Sequence, residues 1–205
     1  MKRPLLITDC DEVLLHMVSH FGAWLAESQG IDFDLSQGNF ANAMTAQADG
    51  SRISEDRVWP LLEGFFRTEM HRQTVVPGAI EALGRIGEIA DIVVLTNLGD
   101  EAHQWRVEQL ATHGIRHEVV CNRGGKGAPL RALVDRHAAT LSVFVDDLSV
   151  HHSSVAKHSP ATARLHMIAE PALAAMTPPA PDADARIDDW PTATSWILDR
   201  LQGPA

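Results

Sequence analysis

Carboxylates gather at the ends of two apolar runs in this chain. In LLITDCDEVLL, Leu5 to Leu15, the apolar residues Leu5, Leu6 and Ile7 are followed by Asp9, Asp11 and Glu12, and in LSVFVDD a later run ends on Asp146 and Asp147. Anions clustered at the end of a buried strand cost free energy unless a cation or a reaction needs them. Hard carboxylate oxygens from two strand ends can share a magnesium ion, which would supply the missing positive charge. Two more groups complete the set. DIVVLTN ends on Thr96 and Asn97, whose hydroxyl and backbone amides suit phosphate oxygens, and NRGGKGAP offers Lys126 after a glycine pair. The chain has only three lysines, Lys2, Lys126 and Lys157, so a lysine in this position is less arbitrary than an arginine would be. Such groups suit phosphoryl transfer, whose transition state spreads negative charge over the phosphoryl oxygens.

In their order along the chain, DCD, VVLTN, Lys126 and VFVDD resemble the four motifs of the haloacid dehalogenase (HAD)-like superfamily, and the resemblance spans nearly the whole sequence. The resemblance implies a mechanism. Asp9 would attack phosphorus and form an aspartyl-phosphate, and Asp11 would donate a proton to the leaving oxygen and later take one from water. Magnesium would be held by the Asp9 side chain, the Asp11 backbone carbonyl and Asp146, with Asp147 binding through water or orienting the others. Thr96, Asn97 and Lys126 would bind the phosphoryl group. Where the family usually has glycine after the second aspartate this chain has Glu12, so a different turn after Asp11 is expected.

The elements that must position these residues form an alternating pattern. Short apolar runs recur at Leu5 to Ile7, Ile92 to Leu95, Glu118 to Cys121, Ser142 to Val145 and Leu165 to Ile168. Between them lie helical patterns, such as Ala79, Ile80, Leu83 and Ile86 after Pro77-Gly78. Continuous apolar strands alternating with helices predict an α/β fold, a doubly wound, Rossmann-like parallel sheet covered on both faces. In such sheets ligands sit beyond the carboxyl ends of the strands, where the four motifs fall.

Residues 13 to 76 contain no convincing strand, but two helical stripes. Leu14, Met17, Val18, Phe21, Trp24 and Leu25 form one; Val58, Leu61, Leu62, Phe65 and Phe66 form the other, with Ser54 as its N-cap and Pro60 inside it. This is too long for a crossover helix, so residues 14–76 read as a helical cap inserted into a core of residues 1–13 and 77–205. The resemblance makes this cap the source of specificity, with His16, His20, Asn42, Gln47 and Arg52 as candidate substrate contacts. The Pro-rich stretch MTPPAPDADARIDDWP reads as a surface connection before a closing helix started by Pro191.

Composition excludes several classes. With 205 residues, 45% hydrophobic, and a formal charge of −10 without a basic cluster, the chain is expected to be globular and not to bind nucleic acid. No run of about 18 apolar residues occurs, so no membrane span is expected and a cytoplasmic location is inferred, as monomer or homodimer. Cys10 and Cys121 read as buried, reduced thiols, and His151 and His152 as helix residues, one of them partly exposed. The glycines around Lys126 lack P-loop spacing. The leading expectation is a magnesium-dependent phosphatase acting on a small phosphorylated metabolite: a sugar phosphate, a nucleotide or a short acid phosphate. Asp11 argues against the family's dehalogenases, and the absence of lysine from 14–76 argues against its phosphonate-cleaving members. A phosphomutase, a 5′-nucleotidase, suggested by a likeness of HQWRVEQL to the family's deoxyribonucleotidases, and a non-catalytic phosphate-binding protein are the alternatives.

Overall fold

Strands that are apolar on both sides pair side by side in a six-stranded parallel sheet. The computed structural model describes residues 2–37 and 40–203. The strands are β1 (Leu5–Thr8), β4 (Asp91–Thr96), β5 (Glu118–Cys121), β6 (Ser142–Asp146), β7 (Ala163–His166) and β8 (Ala185–Arg186), in the order β5-β4-β1-β6-β7-β8. Because successive side chains alternate across a sheet, each strand feeds two apolar layers. Leu6, Val94, Val143 and Val145 pack with α3 (Ala79–Gly87) and α8 (Trp190–Gln202). Leu5, Ile7, Val93, Leu95 and Phe144 pack on the other face with α5 (Gly127–His137) and α6 (Ser149–His158). β1 is central, pairing Thr8 with Val94 of β4 and Val145 of β6. That register brings the carboxyl ends of these three strands to one level, so the acidic and hydroxyl residues that follow them face one another. A fifth helix of the core, α4 (His103–Thr112), packs beside β5.

The strand expected at Leu165 to Ile168 begins two residues earlier, at Ala163. Its polar second residue, Arg164, hides the start from a hydrophobicity pattern, yet its backbone pairs with Phe144 and its guanidinium is held by Asp184. The Pro-rich connection contains the two-residue edge strand β8 and is preceded by a short helix, α7 (Pro171–Met176). Pro191 stands in the first turn of α8, which Asp189 caps by accepting from the Thr192 amide at 2.8 Å.

Within the segment from 14 to 76, α1 (Val18–Trp24) and α2 (Glu55–Thr68) match the two apolar stripes, and α2 continues through Pro60. Ser54 occupies the N-cap position of α2 without a side-chain bond. A small antiparallel hairpin, β2 (Ile31–Phe33) and β3 (Met44–Ala46), corrects the expectation of no strand there. Three-residue strands are too short to show a period, and Ile31 and Met44 are buried among aromatic rings instead. Phe21 is at the centre of that cluster, with the rings of Trp24, Phe33, Phe40 and Phe65 at centroid distances of 6.0, 5.7, 5.6 and 5.5 Å. This cluster is separate from the layers on the sheet. No helix among the described residues is long and apolar enough to cross a membrane.

Glu12, whose side chain was expected to disfavour a glycine-type turn after Asp11, adopts a glycine-type backbone. It takes the left-handed conformation itself, with φ at 59°, at a strain of roughly 1 kcal/mol for a residue with a Cβ. The offset comes from its carboxylate. One oxygen accepts from the Met17 and Val18 amides, both at 2.7 Å, and the other from the Glu170 amide at 2.9 Å. It therefore caps the start of α1, which explains why that helix begins at Val18 although the apolar stripe starts at Leu14, and it also holds the residue that caps α7. Burial pushes the Glu12 carboxyl up to about 6 while these amides favour the charged form. Glu12→Ala, which keeps the strain and strands three amides, is expected to lose about 3 kcal/mol or more in urea unfolding. Glu12→Gly removes the strain and should recover about 1 kcal/mol of that loss; equal stability of all three proteins would show that the carboxylate holds nothing.

Candidate active site

The site is assembled where β1, β4 and β6 end. Lys126, at the N-cap of α5, extends inward until its ammonium lies 2.8 Å from Asp9 Oδ1 and 2.7 Å from Asp146 Oδ2. Lys126 and Asp146 are fully buried. Gly127, next in the chain, is why the lysine can be so deep: a Cβ there would collide with the backbone oxygen of Ser154, so α5 approaches α6 at backbone distance. Asp9 is held by its amide donating to Val145 O at 2.8 Å, and its Oδ1 also accepts from the Cys10 amide at 2.7 Å. Asp146 Oδ1 accepts from the Leu148 amide at 2.9 Å.

Asp9, Asp146 and Asp147 bring one carboxylate oxygen each within 4.8 Å of one another. Three carboxylates face one ammonium, so two negative charges stay uncompensated if all are ionised. Burial raises the Asp9 carboxyl to about 7 against the pull of Lys126, and Asp146 and Asp11 add to the rise. Asp147 is pushed well above the ordinary carboxyl range by burial and by its two acidic neighbours. Burial would discharge Lys126, but Asp146 and Asp9 outweigh it and hold the ammonium above its usual range. A hard divalent cation fits this donor set in charge and in ligand type. Beside it, Thr96 is buried and its hydroxyl has no partner, which leaves a donor directed to no protein atom. Asn97 is exposed; its amide donates to Gly124 O at 2.9 Å and its carbonyl accepts from Asn122 at 2.9 Å.

Asp11 stands apart from this cluster. Arg106 Nη2 donates to both of its oxygens, at 3.0 and 2.8 Å, and Gln73 Nε2 donates to Oδ1 at 2.6 Å. Arg106 is fully buried on α4, and its other terminal nitrogen reaches Gln109 Oε1 at 3.0 Å and Cys10 Sγ at 3.1 Å. Sequence reasoning assigned Arg106 no role and did not single out Gln73 or Gln109. Their signal was a polar pair at i, i+3 on α4, sharing an inward stripe with the buried Leu110. His151 and His152 are both buried, which corrects the expectation that one is partly exposed. His152 Nε2 donates to Asp146 O at 3.0 Å and His166 Nε2 to Asp147 O at 2.8 Å, so two imidazoles tether the acidic pair from behind. Cys121 is half-buried rather than buried, because β5 is an edge strand; Cys10 is buried as expected, and both are free thiols.

A cleft of about 450 Å³ opens beside Asn97, between α2 and the segment from Leu98 to Trp105. Trp59, Leu62 and Phe66 of α2 form one wall. None of His16, His20, Asn42, Gln47 and Arg52 lines it. His20 instead meets the Thr74 hydroxyl at 3.0 Å, and Gln47 bonds Asp32 across the hairpin at 2.8 Å. Within the 14–76 segment the residues that line this cleft come from α2, while Gln73 is the one that bonds Asp11.

No protein-family model matches the sequence, and no curated protein matches it. Solved structures do match. A haloacid dehalogenase-like hydrolase from Streptococcus pneumoniae aligns with a TM-score of 0.64 at 10% identity, over 95% of this chain and 98% of that one. The chain has the HAD-like fold. The HAD hydrolase YfnB from Bacillus subtilis, described as bound to magnesium, aligns at 0.63 with 10% identity, over 97% of this chain and 100% of that one. A solved structure from Lactobacillus plantarum, described as a candidate phosphoglycolate phosphatase, aligns at 0.60 with 12% identity, over 95% of this chain and 99% of that one.

The raised carboxyls of the site set a pH dependence. With folded values above those of the unfolded chain, the metal-free protein binds extra protons when folded, so this contribution to stability is complete below about pH 4 and is lost as pH rises through about 7. A divalent cation binds the deprotonated form and acts in the opposite sense. The gain in Tm on adding about 10 mM magnesium is expected to be slight at about pH 5 and several degrees at about pH 8. A gain that is independent of pH would mean that the cation binds elsewhere.

Proposed function

We propose that this protein is a magnesium-dependent phosphatase that hydrolyses a small phosphomonoester through an aspartyl-phosphate. The observation that carries the reading is a buried ammonium bridging Asp9 and Asp146 beside the unpartnered hydroxyl of Thr96. Asp9, Asp146, Asp147 and the Asp11 carbonyl are the groups that would hold magnesium, which would neutralise charge among the carboxylates and on the phosphoryl oxygens. The magnesium described for one neighbour and the phosphatase activity suggested for another support this assignment.

The chemistry of the chain's own residues follows from their contacts. Asp9 Oδ1 is engaged by the Cys10 amide and Lys126, so Oδ2 is the oxygen that attacks phosphorus. The new bond forms as the phosphorus–ester oxygen bond breaks, and Asp11 passes a proton to the departing oxygen. Water then attacks the phosphorus of the acyl phosphate, Asp11 takes its proton, and inorganic phosphate leaves with the Asp9 carboxylate restored. Lys126, the Thr96 hydroxyl and the Asn97 backbone stabilise the phosphoryl oxygens through both steps. Arg106 and Gln73 position Asp11 rather than touching the reacting atoms.

Phosphate release from sugar phosphates, nucleotides and short acid phosphates, with and without magnesium, tests the reading. Asp9→Asn is expected to lose about a thousandfold or more on every compound. Asp11→Asn should lose about a hundredfold on alkyl esters and far less on acetyl phosphate, whose leaving group needs no acid. Folded, magnesium-binding protein that releases phosphate from nothing would overturn it.

A further inference from the structure

Few large apolar side chains are exposed on this chain, and two of them are indoles on one cleft. Trp59 on α2 is 69% exposed and Trp105 on α4 is 41% exposed, and both line the space beside Asn97. Among the described residues neither indole stacks on another ring or lies beneath a cation, although Phe21, Trp24, Phe33, Phe40, Phe65 and Phe66 of the 14–76 segment are packed closely together. Two flat hydrophobic faces are thus kept in water next to the candidate phosphoryl site. Leu62, Phe66 and Leu98 form the surface between them, and Phe66 in turn covers the buried Arg106 at 5.5 Å. Arg123 at the rim is paired with Glu101 at 2.9 Å.

Glu63, Arg67, Asn122 and the Arg123–Glu101 pair also line the cleft, but the feature that sets it apart is its two unstacked indoles, whose faces an aromatic ring would bury without giving up hydrogen bonds of its own. At about 450 Å³ the cleft holds one ring system and a short linker. Asn97 lines the cleft and follows Thr96 in the chain, so a phosphate held at the Thr96 hydroxyl would have its ester group beside this cleft.

We infer that the leaving group is a flat aromatic or heteroaromatic alcohol, bound against Trp59 and Trp105. That the ring departs during catalysis rests on the phosphatase reading; that the cleft selects a ring does not.

Benzyl phosphate and cyclohexylmethyl phosphate test this selection, because both release a primary alkoxide of similar size and differ in the π face. The benzyl ester is expected to have a kcat/KM about tenfold higher, with the ratio falling toward about one in Trp59→Leu and in Trp105→Leu. Calorimetric binding of benzylphosphonate and cyclohexylmethylphosphonate, with magnesium present, should show the same preference without turnover. If acetyl phosphate is hydrolysed but the two esters react equally, the ring site is wrong and the phosphatase stands. If nothing is hydrolysed yet benzylphosphonate binds about tenfold tighter through both tryptophans, the ring site stands and the phosphatase fails. Absence of both overturns both.

Discussion

The buried ammonium of Lys126 between Asp9 and Asp146 is the interaction on which the rest of the site depends. Without a cation, adjacent carboxylates at the ends of two paired strands would repel each other and protonate. The backbone contact between α5 and α6 at Gly127 exists in the same place, and it is what lets a long side chain reach the strand ends from a helix start. One ammonium is enough to organise the cluster but not to neutralise it. The remaining negative charge is what would suit the arrangement to a divalent cation rather than to a closed structural ion pair, and beside it the Thr96 hydroxyl is left without a protein partner.

Around this centre, the chain uses side chains to tie distant backbone together. Glu12 spans α1 and the start of α7 with a single carboxylate, at the cost of a left-handed backbone. Trp190 Nε1 donates to Val13 O at 2.8 Å, so the closing helix holds the same loop from another side. His152 and His166 hold the carbonyls of Asp146 and Asp147. Each of these contacts restrains a loop at a strand end, and none requires a glycine or a long turn. Rigid support of this kind keeps anionic groups close together when no counter-ion is bound.

The central strands and the acid, hydroxyl and lysine residues at their ends were legible because both signals are local: an apolar run is visible in a short window, and a polar residue that ends it stands out. The rest depended on tertiary context. Arg164 starts a strand because Phe144 and Asp184 lie beside it, which hydrophobicity does not register. The hairpin of β2 and β3 is held by rings that come from α1 and α2. Glu12 was visible as an exception to the motif, but its role was not, since its amide partners lie five, six and 158 residues away. Of the candidate contacts chosen for polarity, His20 and Gln47 bond within the segment, while Leu62 and Phe66, which read as core, line the cleft.

Asp11 connects these observations. Its carboxylate is the one acidic group of the DCD motif that is not drawn to Lys126; it is held by Arg106 from α4 and by Gln73 from the segment that returns to α3. Gln109 donates to the backbone oxygen of Met70 and, at 3.2 Å, to Gln73, so the same network fixes the return of the 14–76 segment to the sheet. Phe66 lies over Arg106 and also forms part of the cleft wall. A displacement of α2 would therefore alter the cover on the guanidinium and, through it, the orientation of Asp11. The group proposed to exchange protons with substrate is mechanically joined to the wall proposed to recognise it, which gives the insertion a means of influencing the chemistry as well as the fit.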